Sequence, residues 1–382
     1  MSVDLPFHKA WLEEEEHREV EDTLKSGWLT TGPKVQKFEE AFKDYIGCKH
    51  AVALNSCTAG LNLALALQNF PEGDEVITTP MTFPATANVI LLQRLKPVFA
   101  DIEPGTLTID PQKIEAVITP RTRAIIPVHF AGHPCDMTPI QELADKHKLV
   151  IIEDAAHALE SEYKGKKIGN MGNATAFSFY ANKNITTGEG GMLVTNDDAL
   201  AENIRIMRLQ GISRDAWKRF GKSGFAHWEQ TLAGHKCNMT DLNASLGLHQ
   251  IKKIERFMIL RKKYVSMYDN AFADVPELET LAVRDYATSA HHIYIIALQL
   301  ERFTVDRDEF LDAIQFSGIG VAVHYVALHL QPYYLENFNT KPQDYPIASY
   351  YSRRVISLPL YPKMSFADVE QVIRTVKTLV KK

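Results

Sequence analysis

The sequence predicts an α/β protein, with a large unit on a mostly parallel sheet followed by a smaller C-terminal α/β unit. Three observations predict it. Short runs rich in Val and Ile alternate along the chain with amphipathic stretches of helical spacing. The runs are apolar at consecutive positions, as strands buried on both faces are, and such strands belong to parallel sheets covered by helices on either side. The composition, 45% hydrophobic and 23% charged over 382 residues, suits a globular chain with two or three domains' worth of core.

Taken in order, "EEEEHREVEDTLKSG" reads as a helix with acidic residues in its first turn and Gly27 as its stop, and "PKVQKFEEAFKDYIG" as a second from Pro33 to Gly47. Strand candidates "HAVALN", "DEVITT", "KPVFAD", "RAIIPVHF" and "KLVIIEDA" follow, separated by helical stretches such as "TAGLNLALALQNF" and "MTPIQELADKHK". After Gly191 come a strand, "GMLVTN", and a helix, "DDALAENIRIMRLQ". A single long helix is expected from Asp241 to Phe272, carrying the chain from one unit to the next. Beyond it "HHIYIIALQL" reads as a strand, and "DRDEFLDAIQFSG" and "MSFADVEQVIRTVKTLVKK" as helices. The expected division is a large domain over 1–250, with an N-terminal arm, and a small one over 251–382. No internal repeat, low-complexity tract or flexible linker is visible.

The formal net charge of −5 argues against nucleic acid or an anionic membrane as the main partner, because those surfaces need a concentrated excess of Lys and Arg. Cys48, Cys57, Cys135 and Cys237 are far apart, with no C-x-x-C pair or zinc-ligand spacing, and read as reduced structural thiols; no metal site is expected. The acidic N-terminus lacks the cationic start and apolar core of a secretory signal, and no apolar run approaches the roughly 18 residues of a membrane helix. The expected location is the cytoplasm, so the N-x-S/T triplets at Asn173, Asn184 and Asn238 predict no glycan.

The chemistry is sought around "FSFYANKNITTGEGG", where Lys183 stands between an aromatic run and a cluster of glycines. A Walker loop places its glycines before the lysine, and "GEGGML" lacks the third glycine of a dinucleotide fingerprint, so neither a phosphate loop nor a nicotinamide oxidoreductase fits. A surface lysine is the plain alternative. A lysine that attacks a carbonyl must be held out of bulk water, and small neighbours such as Gly188, Gly190 and Gly191 leave room for a flat ring. If that ring is pyridoxal phosphate, a carboxylate for the pyridine nitrogen, a phosphate cup and a flat group against the ring are also required. Asp154, at the end of "KLVIIEDAAHA", is the carboxylate candidate, or else the cap of the following helix. His157, three residues on, either flanks the ring or is a core histidine. "NSCTAG" offers Thr58 and Ala59 at a helix N-terminus for an anion, with Ser178 as a second hydroxyl, though Ser and Thr are also ordinary caps. Phe83 in "TTPMTFPATAN" is the stacking candidate, or simple packing.

The ordered set "NSCTAG", "MTFPATAN", "IIEDAAHA", "FSFYANKNITTGEGG" and "HKCNMTDLNASLG" resembles the DegT/StrS family of pyridoxal-phosphate sugar aminotransferases, from "SGWLTTGPKVQKFEEAF" to "HYVALHLQPYY" and "SLPLYP". "KNIT" and "NMTDLNA" are most similar to the branch that forms UDP-4-amino-4-deoxy-arabinose. The resemblance implies the aspartate-aminotransferase type of fold (fold type I) and pyridoxal 5′-phosphate as cofactor, cycling through pyridoxamine 5′-phosphate. It implies that Lys183 bonds the cofactor, Asp154 pairs with its pyridine nitrogen, Phe83 and His157 flank its ring, and Thr58, Ala59 and Ser178 bind its phosphate. Asn238 matches an asparagine that the partner subunit contributes, which implies a homodimer with shared sites. Thr31, Lys34, His324, Tyr325 and His329 fall in segments that line the family's sugar site, although a capping threonine and partly buried aromatics are equally plain readings. The implied reaction moves an amino group from glutamate to a keto carbon, C4, of a nucleotide-linked keto-sugar. Alternatives are C3 amination and, from another class, a non-enzymatic cofactor-binding regulator, which no basic helix-turn-helix segment supports. Dehydratase members carry histidine in place of the lysine.

Overall fold

The computed structural model describes residues 4–212 and 229–381. Two helices lead the chain in, α1 (Glu14–Ser26) and α2 (Pro33–Ile46), and each stops at a glycine, Gly27 at φ 72° and Gly47 at φ 80°, where a side chain would be strained. The seven strands that follow form one sheet in the order β1 (His50–Leu54), β9 (Gly191–Thr195), β8 (Ala174–Ser178), β5 (Val150–Asp154), β4 (Thr122–Ile126), β2 (Glu75–Thr78), β3 (Lys96–Phe99). Only β9 runs antiparallel to its neighbours in this sheet; the other pairs are parallel, as the doubly apolar strand runs predict.

Helices cover both faces. Under α3 (Cys57–Ala66), α4 (Pro84–Leu92) and α7 (Asp198–Met207), Leu61, Val89, Ile90 and Ile204 pack on Leu54, Ile126 and Leu193 of the strands. The opposite face lies beneath α2, α5 (Pro111–Val117), α6 (Met137–His147) and α8 (Asp241–Gln250). Its centre is aromatic: Phe38 and Phe42 from α2 meet Phe179 and Phe177 with ring centroids 5.2 and 5.3 Å apart.

The single long helix expected over 241–272 is interrupted. A 3₁₀ turn at Ile251–Lys253 separates α8 from α9 (Ile254–Phe272). At this junction Gln250 and Lys253 turn toward α1: Gln250 Nε2 donates to Glu16 Oε1 at 2.7 Å, and Lys253 Nζ pairs with Glu13 and Glu16, each at 2.7 Å. Two side chains at this junction thus serve the buried Glu16 carboxylate, and polar contacts of this kind are invisible in hydrophobic periodicity.

A second, antiparallel sheet orders β10 (Leu278–Thr280), β12 (Tyr294–Leu298) and β13 (Val355–Leu358). Its core packs Tyr264 and Tyr268 of α9 with Phe310 of α10 (Arg307–Phe316) and Val369 and Val372 of α13 (Phe366–Val380). The N-terminal segment joins this unit, since Leu5 bridges Ile319 and accepts the Gly320 N–H at 2.8 Å. A small third sheet orders β11 (Ala287–Thr288), β6 (Glu162–Tyr163) and β7 (Lys166–Lys167). The second unit leans on the first through α11 (Pro332–Phe338), whose Tyr334 packs on Phe99, and α12 (Pro346–Ser352), whose Ala348 N–H donates to Asp101. Among the described residues no helix is long and apolar enough to cross a membrane.

Candidate active site

β1, β2, β5 and β8 release their connections at one end of the sheet, the carboxyl end, where open α/β sheets bind ligands. A cavity of about 740 Å³ opens there. Cys57, Thr58, Phe83, Asp154, His157, Ser178 and Lys183 line it from the large sheet's side, and His324 and Tyr325 close it from the second unit.

Lys183 follows a turn after β8 in which its own N–H donates to the Tyr180 carbonyl at 2.9 Å. Desolvation in the cavity lowers its ammonium from the ordinary 10.5 to about 8, against the opposing electrostatic pull of Cys57 and Asp154. The sign of the linked stability follows. The unfolded lysine stays protonated to about pH 10.5, so between 8 and 10.5 the unfolded chain binds more protons and stability rises with pH. Below pH 8 the folded protein carries the full cost of a desolvated charge. In urea unfolding of the cofactor-free protein, Lys183→Met is therefore expected to gain about 1–3 kcal/mol at pH 7. The gain should shrink as pH rises from 8 toward 10; a difference that does not vary with pH would exclude this origin.

Asp154 is 6% exposed at the last position of β5. Its two oxygens are held differently. Oδ2 accepts the Thr86 hydroxyl at 2.7 Å, and Thr82 stands 2.8 Å behind Thr86 as the next hydroxyl. Oδ1 accepts the Ala156 N–H at 3.1 Å, with the Cys57 thiol 3.9 Å away. Thr82, Thr86 and Cys57 were not among the expected site residues. The T-x-x-x-T spacing across the start of α4 is the sequence signal for the first two, since it places both hydroxyls on one side of a helical turn.

At the start of α3, Ser56 caps the helix by accepting the Ala59 N–H at 3.1 Å. Cys57 and Thr58 N–H groups lie in the first turn without intrahelical acceptors. Both residues line the cavity together with Ser178, whose hydroxyl accepts the Tyr180 N–H and keeps its own proton to donate. Ala59, with its N–H engaged by Ser56, does not line the cavity. Gly190 lines the cavity, and it and Gly191 meet a further constraint beside the expected room for a ring. A Cβ on Gly191 would collide with the Ser56–Cys57 backbone, and one on Gly190 with Thr187 and Met239. Glycine here lets the edge of β9 pass tight against the N-terminus of α3.

His157 is buried with its ring 4.4 Å from His292 and roughly parallel to Tyr325 at 6.3 Å. Its Nδ1 accepts the Ala131 N–H at 3.3 Å, so the neutral ring carries its proton on Nε2, 3.2 Å from the Tyr325 hydroxyl. Burial, reinforced by the charge of Lys183, pushes this imidazole well below its ordinary value. His324 is lowered to about 4, also chiefly by burial, with Nδ1 2.8 Å from Ser357 Oγ. Phe83 stands at the rim, 61% exposed, its ring 6.3 Å from that of Tyr325.

Four of the expected residues stand elsewhere in the chain. Asn238 donates to Thr31 at 2.5 Å, and both line a separate cavity of about 760 Å³ with Trp28, Glu39 and Arg208. Lys34 is paired with Glu19 at 2.6 Å. His329 is fully buried in the second unit, 2.7 Å from Ser349 Oγ, and does not line the Lys183 cavity.

The residues around Lys183 fit pyridoxal 5′-phosphate. The first turn of α3 offers unpaired N–H groups to a phosphate, Asp154 a buried carboxylate to a pyridinium, and Lys183 an amine with depressed basicity to an aldehyde. Comparison with known proteins agrees. Residues 11–377 match the DegT/DnrJ/EryC1/StrS aminotransferase family. The chain is 48% identical over 378 residues to the spore coat polysaccharide biosynthesis protein SpsC of Bacillus subtilis (strain 168), covering 99% of this chain and 97% of that one. It superposes on Spr1654 from Streptococcus pneumoniae with TM-scores of 0.92 in the PMP form and 0.90 in the PLP form, at 34% identity, over 99% of this chain and 98–99% of that one. Helicobacter pylori PseC, an aminotransferase involved in the biosynthesis of pseudoaminic acid, gives 0.91 at 34% identity, over 99% of each chain.

Proposed function

We propose, on the premise that the chain belongs to the DegT/DnrJ/EryC1/StrS aminotransferase family, that it transfers an amino group from glutamate to C4 of a nucleotide-linked keto-deoxy sugar. The product would serve an amino-sugar step in the assembly of a surface polysaccharide or glycan. Membership makes it a pyridoxal-phosphate-dependent sugar aminotransferase; donor, nucleotide and position are the proposal. The observation that carries it is the meeting of Lys183, Asp154 and the N-terminus of α3 in one cavity closed by Tyr325.

When bound, the cofactor supplies a carbonyl that takes and returns an amino group, and a ring that spreads the negative charge of the deprotonated carbon. The protein's residues do the rest. Thr58, Ser178 and the first turn of α3 would hold the phosphate, and the Asp154 carboxylate would keep the pyridine nitrogen protonated. Lys183 Nζ, titrating near pH 8, is poised to take a proton from the donor's α-carbon in one half of the reaction and to return one to the sugar carbon in the other. His157, neutral and locked by Ala131 and Tyr325, would cover the ring without adding charge. Within one chain Asn238 and Thr31 line a cavity other than that of Lys183, which supports a homodimer in which each subunit completes its partner's site. The likeness of "KNIT" and "NMTDLNA" to the UDP-4-amino-arabinose branch supports C4.

The test starts from cofactor-loaded protein, bleached with glutamate and freed of excess donor. Added nucleotide 4-keto-sugars are expected to restore the visible band. Restoration by 3-keto-sugars alone would move the amine to C3, and no restoration by any nucleotide keto-sugar would overturn the substrate class.

A further inference from the structure

Among the described residues, no hydrogen-bond partner holds the Lys183 amine, as suits a group that must swing between partners. Its aim therefore rests on the backbone either side of it. Before it, the lysine N–H is tied to Tyr180. After it, Asn184 is drawn into a buried polar cluster that neither the cavity nor the reading above includes.

Asn184, 8% exposed, donates from Nδ2 to Glu160 Oε2 and, at 3.5 Å, to the Ala290 carbonyl. Both partners accept only, so the amide must present its nitrogen to them. Glu160, 5% exposed, gives its other oxygen, Oε1, to the guanidinium of Arg261 on α9. Arg261 is 1% exposed and donates from Nε to the same Ala290 carbonyl at 3.2 Å. Ala290 precedes His292, whose ring lies tilted 4.4 Å from that of His157, by two residues. The cluster thus joins α9, whose Tyr264 and Tyr268 belong to the second unit's core, to the residue directly after the lysine. A buried ion pair is a poor way to gain stability, because apolar residues of similar volume do as well or better. A network of this cost beside a reactive lysine calls for a positional role.

The geometry points to Glu160 and Asn184 as positioning residues for Lys183: Glu160, anchored by Arg261, grips the Asn184 amide and so fixes the backbone that delivers the lysine to the cavity. This rests on the reading of Lys183 as the cofactor-bonding, proton-moving amine. The same cluster makes the aim of the lysine depend on how α9, and with it the second unit, sits.

A polarity swap tests it in the cofactor-loaded protein. Asn184→Asp sets two carboxylates face to face, and Glu160→Gln, whose oxygen must stay on Arg261, turns an N–H toward the Asn184 N–H. The double variant restores one donor and one acceptor with the charges unchanged in number. Each single variant is expected to slow glutamate-driven bleaching by about tenfold or more at saturating glutamate, as a small misplacement of a reacting group does. Each should also move the pH midpoint of the visible band by about half a unit; the double variant should recover most of both losses. Asn184→Ala leaves the Arg261–Glu160 pair intact, and should slow bleaching similarly even where a single polar variant fails to fold. Wild-type bleaching and an unmoved midpoint in folded Asn184→Ala, or a double variant no better than its worse parent, would overturn the positioning role. A wild-type protein with no visible band would instead overturn the reading of Lys183 itself.

Discussion

Lys183→Ala is expected to abolish transamination, with turnover falling on the order of 10⁴-fold or more, because one amine serves as both covalent anchor and proton carrier. Added pyridoxal 5′-phosphate should bind without the visible band of a lysine-linked cofactor, since the first turn of α3 and Asp154 remain. Absorbance and glutamate-driven bleaching check both points; a variant that keeps the band would assign the link to another amine. The same variant reports on subunit sharing. If Asn238 acts on the partner's cofactor, a dimer of one Lys183→Ala and one Asn238→Ala chain contains one site with both residues intact. Random mixing should then restore about a quarter of wild-type activity. Verified mixed dimers no more active than the better parent would confine Asn238 to its own chain, where it bonds Thr31.

How much of this is legible in the sequence depends on which force places each residue. Strands such as "KLVIIEDA" declare themselves because burial on both faces demands an unbroken apolar run, and Asp154 follows from where such a run ends. The stops of α1 and α2 are readable because a left-handed residue favours glycine. What is not readable depends on contacts between residues far apart in the chain. At the break at Ile251–Lys253, Gln250 meets Glu16, more than 230 positions earlier. Gly191 is glycine because of the Ser56–Cys57 backbone, and nothing in "GEGG" distinguishes that from room for a ring. The link from Glu160 to Arg261 spans 101 positions, and the one from Asn238 to Thr31 spans 207. In each case a local motif supplies the residue type, while a remote partner decides its use.

Asp154→Asn separates two uses of one carboxylate. The structure gives Asp154 a local duty, since Oδ1 accepts the Ala156 N–H and steadies the turn after β5. An asparagine oxygen performs that duty as well. What an amide cannot do is carry the negative charge that would keep a pyridine nitrogen protonated. Removing a preorganised charge from a water-poor site typically costs about 10²–10³ in turnover, and a loss of that size is expected here. The visible band should survive, because Lys183 keeps its amine; loss of the nearby negative charge would, if anything, lower that amine's basicity further, since Asp154 now pulls it upward. Thr86→Val provides the intermediate case. It removes the 2.7 Å hydrogen bond to Oδ2 without removing the charge, and should cost about tenfold or less. The order wild type, Thr86→Val, Asp154→Asn in falling turnover, with the band retained in all three, is the signature of a carboxylate acting on the ring. Equal turnover in Asp154→Asn and wild type would leave Asp154 as a turn cap alone.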